Sequence, residues 1–248
     1  RAAIDVSYGA LALPVALFVV PWPEPHMWPI FGGAFLIHTG YKIAQAMTYA
    51  RGAYTVVYPV VRGTGPLFTV IGAGVFFGES YSPGQWAGVG VLVAGIFGLA
   101  HYNRRYLTAA RDTLGSALAW AVITGMFVAA YTTYDAYGIR ATANPFTFLA
   151  WFFVMDAISM PVFQARRLVA VPRGERRALY ARGFVGAIVA FLSFGAILMA
   201  TRIDKVGQAA VIRETSTVFA ALIGRLMLGE RVGPARLALM GLIAAGAV

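Results

Sequence analysis

Long apolar stretches, separated by short polar segments, account for almost the entire chain. A helix needs about 20 predominantly apolar residues to cross the hydrocarbon core of a bilayer, and most of the stretches reach that length. Because backbone groups in lipid must be hydrogen-bonded within their own segment, each stretch is predicted to be a helix. The nine predicted spans are residues 3–21, 27–50, 53–77, 84–102, 113–137, 145–165, 182–201, 206–228 and 234–248. The pattern predicts an all-α polytopic membrane protein.

Two segments, residues 51–97 and 202–248, repeat one another without a gap. The matched positions are Arg51 and Arg202, Arg62 and Arg213, Thr64 and Thr215, Phe68 and Phe219, Gly78-Glu79 and Gly229-Glu230, Pro83 and Pro234, Gly90 and Gly241, and Ala94-Gly95 and Ala245-Gly246. Five spans separate each element from its counterpart, and because five is odd, counterparts are predicted to cross the membrane in opposite directions. Such an inverted repeat is a frequent plan of transporters.

The repeat divides the chain into three predicted regions. Residues 1–102 form a first membrane repeat with four spans, residues 103–112 a basic loop, and residues 113–248 a second membrane repeat with five spans. Because the two repeats should contain equal numbers of helices, we expect one more helix before Arg1 and a last span that continues past Val248. The full-length protein is then an inverted repeat of five-helix units, whose first helix is absent from this sequence.

Arginine and lysine residues between the spans predict the orientation. One side carries Arg1, Arg51, Arg104, Arg105, Arg111, Arg166, Arg167, Arg173, Arg176, Arg177, Arg182, Arg231 and Arg236, and the other carries Arg140, Arg202 and Lys205. An excess of basic residues marks cytoplasmic loops, so the first side is predicted to be cytoplasmic. We expect a multi-pass protein of a bacterial inner (plasma) membrane, in contact with membrane lipids.

Composition supports a membrane protein and argues against several other functions. The chain is 59% hydrophobic and 12% charged, whereas soluble domains are roughly 25% charged. Its net charge of +10 lies mainly in loops between spans, which argues against nucleic-acid binding. There is no cysteine and the three histidines are scattered, so we expect neither a metal site nor a cofactor. We find no nucleophile pair that would indicate an enzyme.

Both copies of the repeat contain a Gly-Glu pair, a short turn, a proline and then a predicted helix. The residues are Ile212-Arg213-Glu214-Thr215-Ser216-Thr217-Val218-Phe219-Ala220-Ala221-Leu222-Ile223-Gly224 and Leu228-Gly229-Glu230-Arg231-Val232-Gly233-Pro234, with Gly78-Glu79-Ser80 and Pro83-Gly84-Gln85-Trp86-Ala87-Gly88 in the earlier copy. With these motifs, the chain resembles the EamA-like branch of the drug/metabolite transporter superfamily over nearly its whole length.

The resemblance implies a ten-helix carrier with a central cavity between two inverted halves. Members of the superfamily move small metabolites, amino acids, drugs, nucleotide sugars or sugar phosphates. Many relatives have cytoplasmic termini, whereas the arginine distribution here places the termini of a ten-helix version outside. The resemblance therefore implies a transporter and leaves its substrate open.

Charged side chains inside predicted spans are the candidates for substrate binding. Each costs roughly 2.5–3.5 kcal/mol to insert, so each needs a cavity or a partner. His38 and Lys42 lie one helical turn apart in the second span, with Gln45 near the same face. They predict a polar stripe along the substrate path. The alternative is a lysine that snorkels to the interface and a histidine that is bonded to a carbonyl.

Arg62 and Arg213 occupy equivalent positions, which an inverted-repeat axis near the membrane centre would bring together. Their planar guanidinium groups are predicted to line a cavity for a carboxylate or phosphate, unless they pair with carbonyls or an acid. Glu214 has no acidic counterpart, because Gly63 takes its place. It is a candidate to bind a substrate ammonium or a coupling proton, and the alternative is a salt bridge to Lys42 or an arginine.

Several polar residues near these charges are further candidates. The hydroxyl groups that flank the arginines belong to Tyr58, Thr64, Thr215 and Ser216, which contact substrate unless they bond their own helix carbonyls. Asp156, in the sixth span, is predicted to partner an arginine within the membrane. Tyr131, Tyr134 and Asp135, near one end of the fifth span, form either part of a gate or an interfacial anchor.

Glycines in the fourth span form a surface of small residues. Gly84 and Gly88 have the G-x-x-x-G spacing, and Gly90, Gly95 and Gly98 continue it. Small residues let helices pack closely in membranes. We expect this surface to pack against the ninth span or against a second copy of the chain in a homodimer.

We expect an integral membrane carrier that exports a small polar metabolite, anionic or zwitterionic, by alternating access through a cavity between the two inverted halves. Lys42, Arg62 and Arg213 are predicted to bind an anionic group, and Glu214 and His38 an ammonium group or a proton as coupling ion. Efflux of a cationic drug, with Glu214 as the binding anion, is an alternative. So are a flippase for a polyprenyl-phosphate-type lipid and a non-transporting assembly subunit.

Overall fold

The computed structural model describes residues 1–104, 113–216, 218–219 and 234–246, and within these ranges all regular structure is helical. The helices are α1 (Ala2–Phe18), α2 (Met27–Arg51), α3 (Tyr54–Phe77), α4 (Pro83–Arg104), α5 (Leu114–Ala141), α6 (Pro145–Asp156), α7 (Ser159–Phe163), α8 (Ala165–Ala170), α9 (Arg173–Ile203), α10 (Val206–Arg213) and α11 (Pro234–Gly246). The prediction of an all-α protein is confirmed. The predicted turn at Gly229-Glu230 and the basic residues Arg105, Arg111 and Arg231 lie outside the described ranges.

Five helical segments of the described residues are long and apolar enough to cross a membrane. They are Val56–Phe77, Pro83–Tyr102, Leu114–Ala141, Pro145–Phe163 and Arg173–Ile203. Helix α1 is apolar but shorter, and α2 falls outside the five because it carries polar side chains such as His38, Lys42 and Gln45. These segments indicate an integral membrane protein, and the prediction of nine spans is not confirmed.

The predicted sixth span contains a break in its helix. Residues Pro145–Phe163 form one apolar segment of membrane-spanning length, but α6 and α7 are separated by a turn. Pro161 in α7 has no N–H to bond the carbonyl of Ala157, and its ring crowds that carbonyl. The apolar span predicted over residues 145–165 is therefore present, and a turn at residues 157–158 interrupts its helix.

Other helix bounds differ from the predicted spans because hydropathy marks only the apolar part of a helix. Helix α9 starts at Arg173, directly after Pro172, and includes polar turns before the predicted span at 182–201. Helix α5 continues to Ala141, past the predicted end at residue 137. Helix α10 is eight residues long, and much of the predicted span 206–228 lies outside the described residues.

The chain forms two compact units. Unit 1 consists of Arg1–Gly40 and Tyr134–Ile203, and unit 2 consists of Tyr41–Thr133 and Asp204–Val248. The boundaries between the units fall within α2, within α5 and at the end of α9. Each unit therefore contains residues from both predicted membrane repeats, 1–102 and 113–248, and the division into repeats stays a prediction.

In unit 1, α1 packs against α6 and α9. Aromatic rings fill the interior: Phe148 stacks on Phe152 with 6.0 Å between the ring centroids, and Phe152 stacks on Phe194 with 5.2 Å between them. Gly183 allows α9 to approach α1, because a Cβ at this position would lie 2.8 Å from the carbonyl oxygen of Ala3. Ring stacking and a glycine contact together hold these helices close.

In unit 2, α3 packs against α4 and α10, and α4 packs against α11. A Cβ at Gly88 would lie 2.9 Å from the carbonyl oxygen of Gly246, and one at Gly95 would lie 3.1 Å from the carbonyl oxygen of Leu239. The predicted packing of glycines in the fourth span against the ninth span is confirmed. Gly88 and Gly95 thus face α11 of the same chain, and the homodimer that was also considered stays a prediction.

Candidate functional site

Among the described residues of unit 2, the most deeply buried acidic group is the carboxylate of Glu214, which has no exposed surface. Glu214 follows the last residue of α10, where the helix tightens: the backbone N–H of Glu214 donates to the carbonyl of Val211 instead of continuing the α-helical pattern. This turn directs the carboxylate toward α3. Buried acids are stable only when paired, so the partners of Glu214 define the site.

Both repeat-related arginines contact Glu214. The Nε atom of Arg62 lies 2.7 Å from one carboxylate oxygen of Glu214, and the Nε atom of Arg213 lies 3.5 Å from the other. Arg62 also donates through a terminal nitrogen to the backbone oxygen of Arg213 at 3.3 Å and to the hydroxyl of Ser216 at 2.6 Å. A single guanidinium group of α3 thus holds the end of α10 at three points.

The charges of these three side chains do not cancel. Arginine keeps its proton in proteins, so two guanidinium groups face one carboxylate. Arg62, Arg213 and an ionised Glu214 together carry one net positive charge. Such a surplus in a site of low dielectric attracts a carboxylate or phosphate more strongly than it does in water.

A cavity of about 70 Å³ adjoins this ion pair, within unit 2. Its lining residues are Tyr41, Gln45, Tyr49, Tyr58, Val61, Arg62, Pro66, Val128, Tyr131, Arg213 and Glu214. Sites for drug-sized ligands have volumes of roughly 300–1,000 Å³. In this conformation the cavity therefore has room only for a small group.

Beside the ion pair, the polar part of the cavity wall consists of tyrosine side chains and one amide. The ring of Tyr41 meets that of Tyr131 edge-on, with 5.0 Å between the ring centroids, and its hydroxyl accepts a hydrogen bond of 2.6 Å from Gln45. The ring of Tyr54 stacks on that of Tyr58, with 4.8 Å between the ring centroids. The guanidinium carbon of Arg62 lies 5.8 Å from the centre of the Tyr58 ring. Hydroxyl groups and aromatic faces thus surround the cationic group.

The predicted threonines do not present their hydroxyl groups to the cavity. Thr64 donates to the carbonyl of Val60 at 2.7 Å, and Thr215 donates to the carbonyl of Ile212 at 2.8 Å. Both bonds lie within the chain segment that carries the threonine, which is the alternative considered for these residues. Lys42 is buried in α2 and is not among the described residues that line the cavity.

His38 belongs to unit 1, as do Tyr134, Asp135 and Asp156, whereas Lys42 and the residues around the ion pair belong to unit 2. Its Nε2 atom lies 2.8 Å from Asp135, and its Nδ1 atom lies 3.9 Å from Asp156. Asp156 also accepts a hydrogen bond from the hydroxyl of Tyr8. The structure places a tyrosine and a histidine beside Asp156, and its predicted arginine partner stays a prediction. The predicted stripe of His38 and Lys42 is therefore divided between the two units.

The cavity includes residues that the sequence did not single out, notably Tyr41, Tyr49 and Val128. Tyr41, Gln45 and Tyr49 follow one another at intervals of four residues, so they lie along one face of α2. That spacing was available as a signal. However, the charges of His38 and Lys42 favour the neighbouring face, and of that predicted stripe Gln45 lines the cavity.

The loop after α3 fixes the start of α10. The carboxylate of Glu79 accepts hydrogen bonds from the backbone N–H groups of Val206 at 2.8 Å and Gly207 at 3.3 Å. A negative charge is favourable at a helix N-terminus. In addition, Lys205 donates to the carbonyl of Ser80 at 2.6 Å. The Gly-Glu turn of the first repeat thus holds one end of α10, and the ion pair holds the other.

Comparison with known proteins adds a family to this geometry. No curated protein matches the sequence. A solved structure described only as "Crystal structure of protein" is similar with a TM-score of 0.69 over 99% of this chain and 84% of its own, at 19% sequence identity, which shows the fold alone. Residues 115–248 match the EamA-like transporter family, and this match covers more than half of the chain. The chain therefore belongs to the EamA-like transporter family, which is part of the drug/metabolite transporter superfamily.

Proposed function

We propose that this protein is a carrier that exports a small anionic or zwitterionic metabolite by alternating access. The observation that carries the proposal is the pairing of Arg62 and Arg213 with the single buried carboxylate of Glu214 beside a cavity. The surplus positive charge favours a substrate carboxylate or phosphate, whose oxygens a guanidinium group binds bidentately. Lys42, which is also buried in unit 2, adds to the positive field.

Two features support an inverted repeat of five-helix units, with nine spans in this chain. The repeat counterparts α3 and α10 pack against each other, and so do α4 and α11, as expected near an axis that relates two repeats. The residues that line the cavity come from both predicted repeats, 1–102 and 113–248. On this basis the substrate binds between the two halves of the sequence. The more basic side faces the cytoplasm of a bacterium, across its inner membrane.

Substrate binding then competes with Glu214 for the guanidinium groups. Arg62 links α3 to the end of α10 through Glu214, the Arg213 carbonyl and Ser216. A substrate anion that takes up Arg62 replaces this link with a contact of its own. Because a ligand shifts a conformational equilibrium by its differential affinity for the two states, this exchange couples binding to helix rearrangement.

A cationic drug fits the same geometry less well. A cation would have to displace two guanidinium groups from Glu214 and would meet a net positive charge. The cavity of about 70 Å³ is also smaller than a drug-sized site. An anionic or zwitterionic metabolite is therefore the better candidate substrate.

Release from proteoliposomes tests the proposal. Liposomes loaded with a mixed pool of amino acids, organic acids and phosphorylated metabolites are followed by mass spectrometry, with protein-free liposomes as control. The proposal predicts selective release of one anionic or zwitterionic compound, and uptake of the same compound in the reverse experiment defines the direction. No selective release from folded and inserted protein would contradict it. Release of a cationic drug, or flipping of a fluorescent polyprenyl phosphate, would favour the alternatives.

A further inference from the structure

A second buried polar cluster, in unit 1, is not used by the proposed substrate site. It consists of Tyr8 on α1, His38 on α2, Asp135 on α5 and Asp156 on α6, each on a different helix. His38 lies between the two acids, 2.8 Å from Asp135 and 3.9 Å from Asp156, and Tyr8 donates a hydrogen bond to Asp156. We call these residues the unit 1 cluster.

The unit 1 cluster is closed off from solvent. Asp135 has no exposed surface, and Tyr8, His38 and Asp156 are each at most 5% exposed. The rings of Phe152 and Phe194 stand edge-on to the His38 ring, with centroid distances of 4.9 and 5.7 Å. An imidazole and two carboxyl groups are thus held in apolar surroundings, within helices that include candidate membrane spans.

The two oxygens of the Asp135 carboxylate have different surroundings. Oδ2 of Asp135 faces His38, whereas Oδ1 is buried without a hydrogen-bond partner among the described residues. A buried carboxylate oxygen without a donor carries a large desolvation cost. Protonation removes that cost, because a neutral carboxyl group needs no counter-charge.

The charges of the cluster also favour the binding of a proton. With both acids ionised, His38 can offset only one negative charge, and a neutral imidazole offsets none. Two carboxylates that share one partner do not both ionise easily in a buried site, and the group as a whole exchanges its protons. Counted over Asp135, Asp156 and a protonated His38 alone, one further proton brings the sum of the charges to zero.

Other charged and titratable groups lie on the helices that carry or surround the unit 1 cluster. They are Asp5 on α1, which pairs with Arg1 at 3.0 Å, Lys42 one turn after His38 on α2, Tyr134 and Arg140 on α5, and Arg202 on α9. Arg140 donates to the carbonyl of Thr201 at 2.8 Å, and Arg202 donates to the carbonyl of Thr142 at 3.0 Å. These guanidinium groups anchor the end of α5 and the turn after it.

We propose that the unit 1 cluster binds and releases a proton that is coupled to transport, with Asp135 as the proton acceptor and His38 and Asp156 as its positioning partners. In the loaded form the proton is bonded to a carboxylate oxygen of Asp135, and in the empty form it has returned to water. Only the coupling of proton binding to transport rests on the proposed function. Proton binding itself is a property of the cluster, and within the described residues no group of His, Cys, Asp or Glu is arranged to hold a metal ion instead.

Infrared difference spectroscopy on the full chain in liposomes, with protons as the only added ligand, tests proton binding. We expect a protonated-carboxyl band that grows as the pH is lowered. Asp135→Asn should abolish this band. Asp5→Asn is the matched control, because Asp5 is equally buried but has an arginine partner, and it should keep the band. A wild-type protein without a titrating band, or a band that survives in Asp135→Asn, overturns the proposal.

A transport experiment distinguishes failure of this proposal from failure of the proposed function. The compound released from the mixed pool is followed with and without a pH gradient, in the wild type, Asp135→Asn and Asp5→Asn. We expect the ratio of the two rates to fall to about one in Asp135→Asn only.

If the wild type releases nothing while the infrared band titrates, the proposed function fails and the proton site stands. If Asp135→Asn retains the pH-gradient response, the coupling role of Asp135 is wrong and the carrier stands. Should Asp135→Asn fail to fold, His38→Gln, which removes the ionisable partner, is expected to shift the band.

Discussion

At the residue scale, one buried carboxylate pairs with two guanidinium groups. Glu214→Gln keeps the size of the side chain but leaves Arg62 and Arg213 close together without their common partner. Breaking a buried ion pair on one side costs about 3–5 kcal/mol. We therefore expect the Tm of the purified protein to fall by several degrees. Glu175→Gln, an exposed acid in the first turn of α9, is the control and should leave the Tm nearly unchanged. Equal Tm values for the two variants would contradict the assignment.

Glu24 lies outside the spans, in the loop between α1 and α2, and its contribution to stability is predicted to depend on pH. Its carboxylate accepts hydrogen bonds from the backbone N–H of Ala143 at 3.0 Å and the hydroxyl of Thr142 at 3.1 Å, and the bond from Ala143 is the main cause of its lowered pKa. A lowered pKa in the folded state means that the stabilisation is present above the ordinary value of about 4.3 and is lost as the pH falls through the folded value. The Tm of Glu24→Gln should therefore approach that of the wild type as the pH falls below about 4. A Tm difference that stays constant with pH would contradict this role.

The repeat in the sequence predicted that Arg62 and Arg213 are related, and the structure brings both to Glu214. It did not indicate the contact of His38 with Asp135, because these residues are far apart in the chain and no local pattern links them. Nor did charge distinguish the face of α2 that lines the cavity. Neighbouring helical residues point about 100° apart, and only the packing of other helices decides which face is used.

At the element scale, the packing of α4 on α11 depends on glycines on one face of α4. A Cβ at Gly88 would lie 2.9 Å from a backbone oxygen of α11, whereas a Cβ at Gly90 would have no neighbour within 4 Å. Forcing extra atoms into a packed contact typically costs about 1–3 kcal/mol. We expect Gly88→Val to lower the Tm clearly and Gly90→Val, in the same helix, to change it much less. A larger loss for Gly90→Val than for Gly88→Val would show that the two helices pack differently.

Apolar periodicity predicts the existence of helices better than their ends. The apolar part of α9 was predicted, but its polar first turns were not, because they do not differ in hydropathy from a loop. The break between α6 and α7 follows from Pro161, a residue that a count of apolar positions does not weigh as a helix breaker. Turn residues and prolines thus set the bounds that hydropathy cannot.

At the scale of the whole molecule, the sequence repeat predicted which helices pack together in unit 2. The counterparts α3 and α10 are in contact, and so are α4 and α11. The two compact units were not predicted, because each combines residues from both halves of the sequence. Their composition depends on long-range packing, which a linear pattern of apolar residues does not encode. Family membership fixes the general activity as transport, and fold alone does not fix the substrate.

The central claim is that Arg62 and Arg213 bind the anionic group of the substrate. The most direct measurement is the rate of selective release from proteoliposomes that contain the wild type, Arg62→Ala, Arg213→Ala or Arg51→Ala. Arg51 is the matched control, because it is a half-buried arginine of the same unit that donates to the carbonyl of Met47, away from the cavity. Loss of a charge-assisted hydrogen bond, worth about 1.5–3 kcal/mol, predicts a decrease of roughly tenfold to a hundredfold for the two site variants and little change for Arg51→Ala. Wild-type release by folded Arg62→Ala and Arg213→Ala would contradict the account.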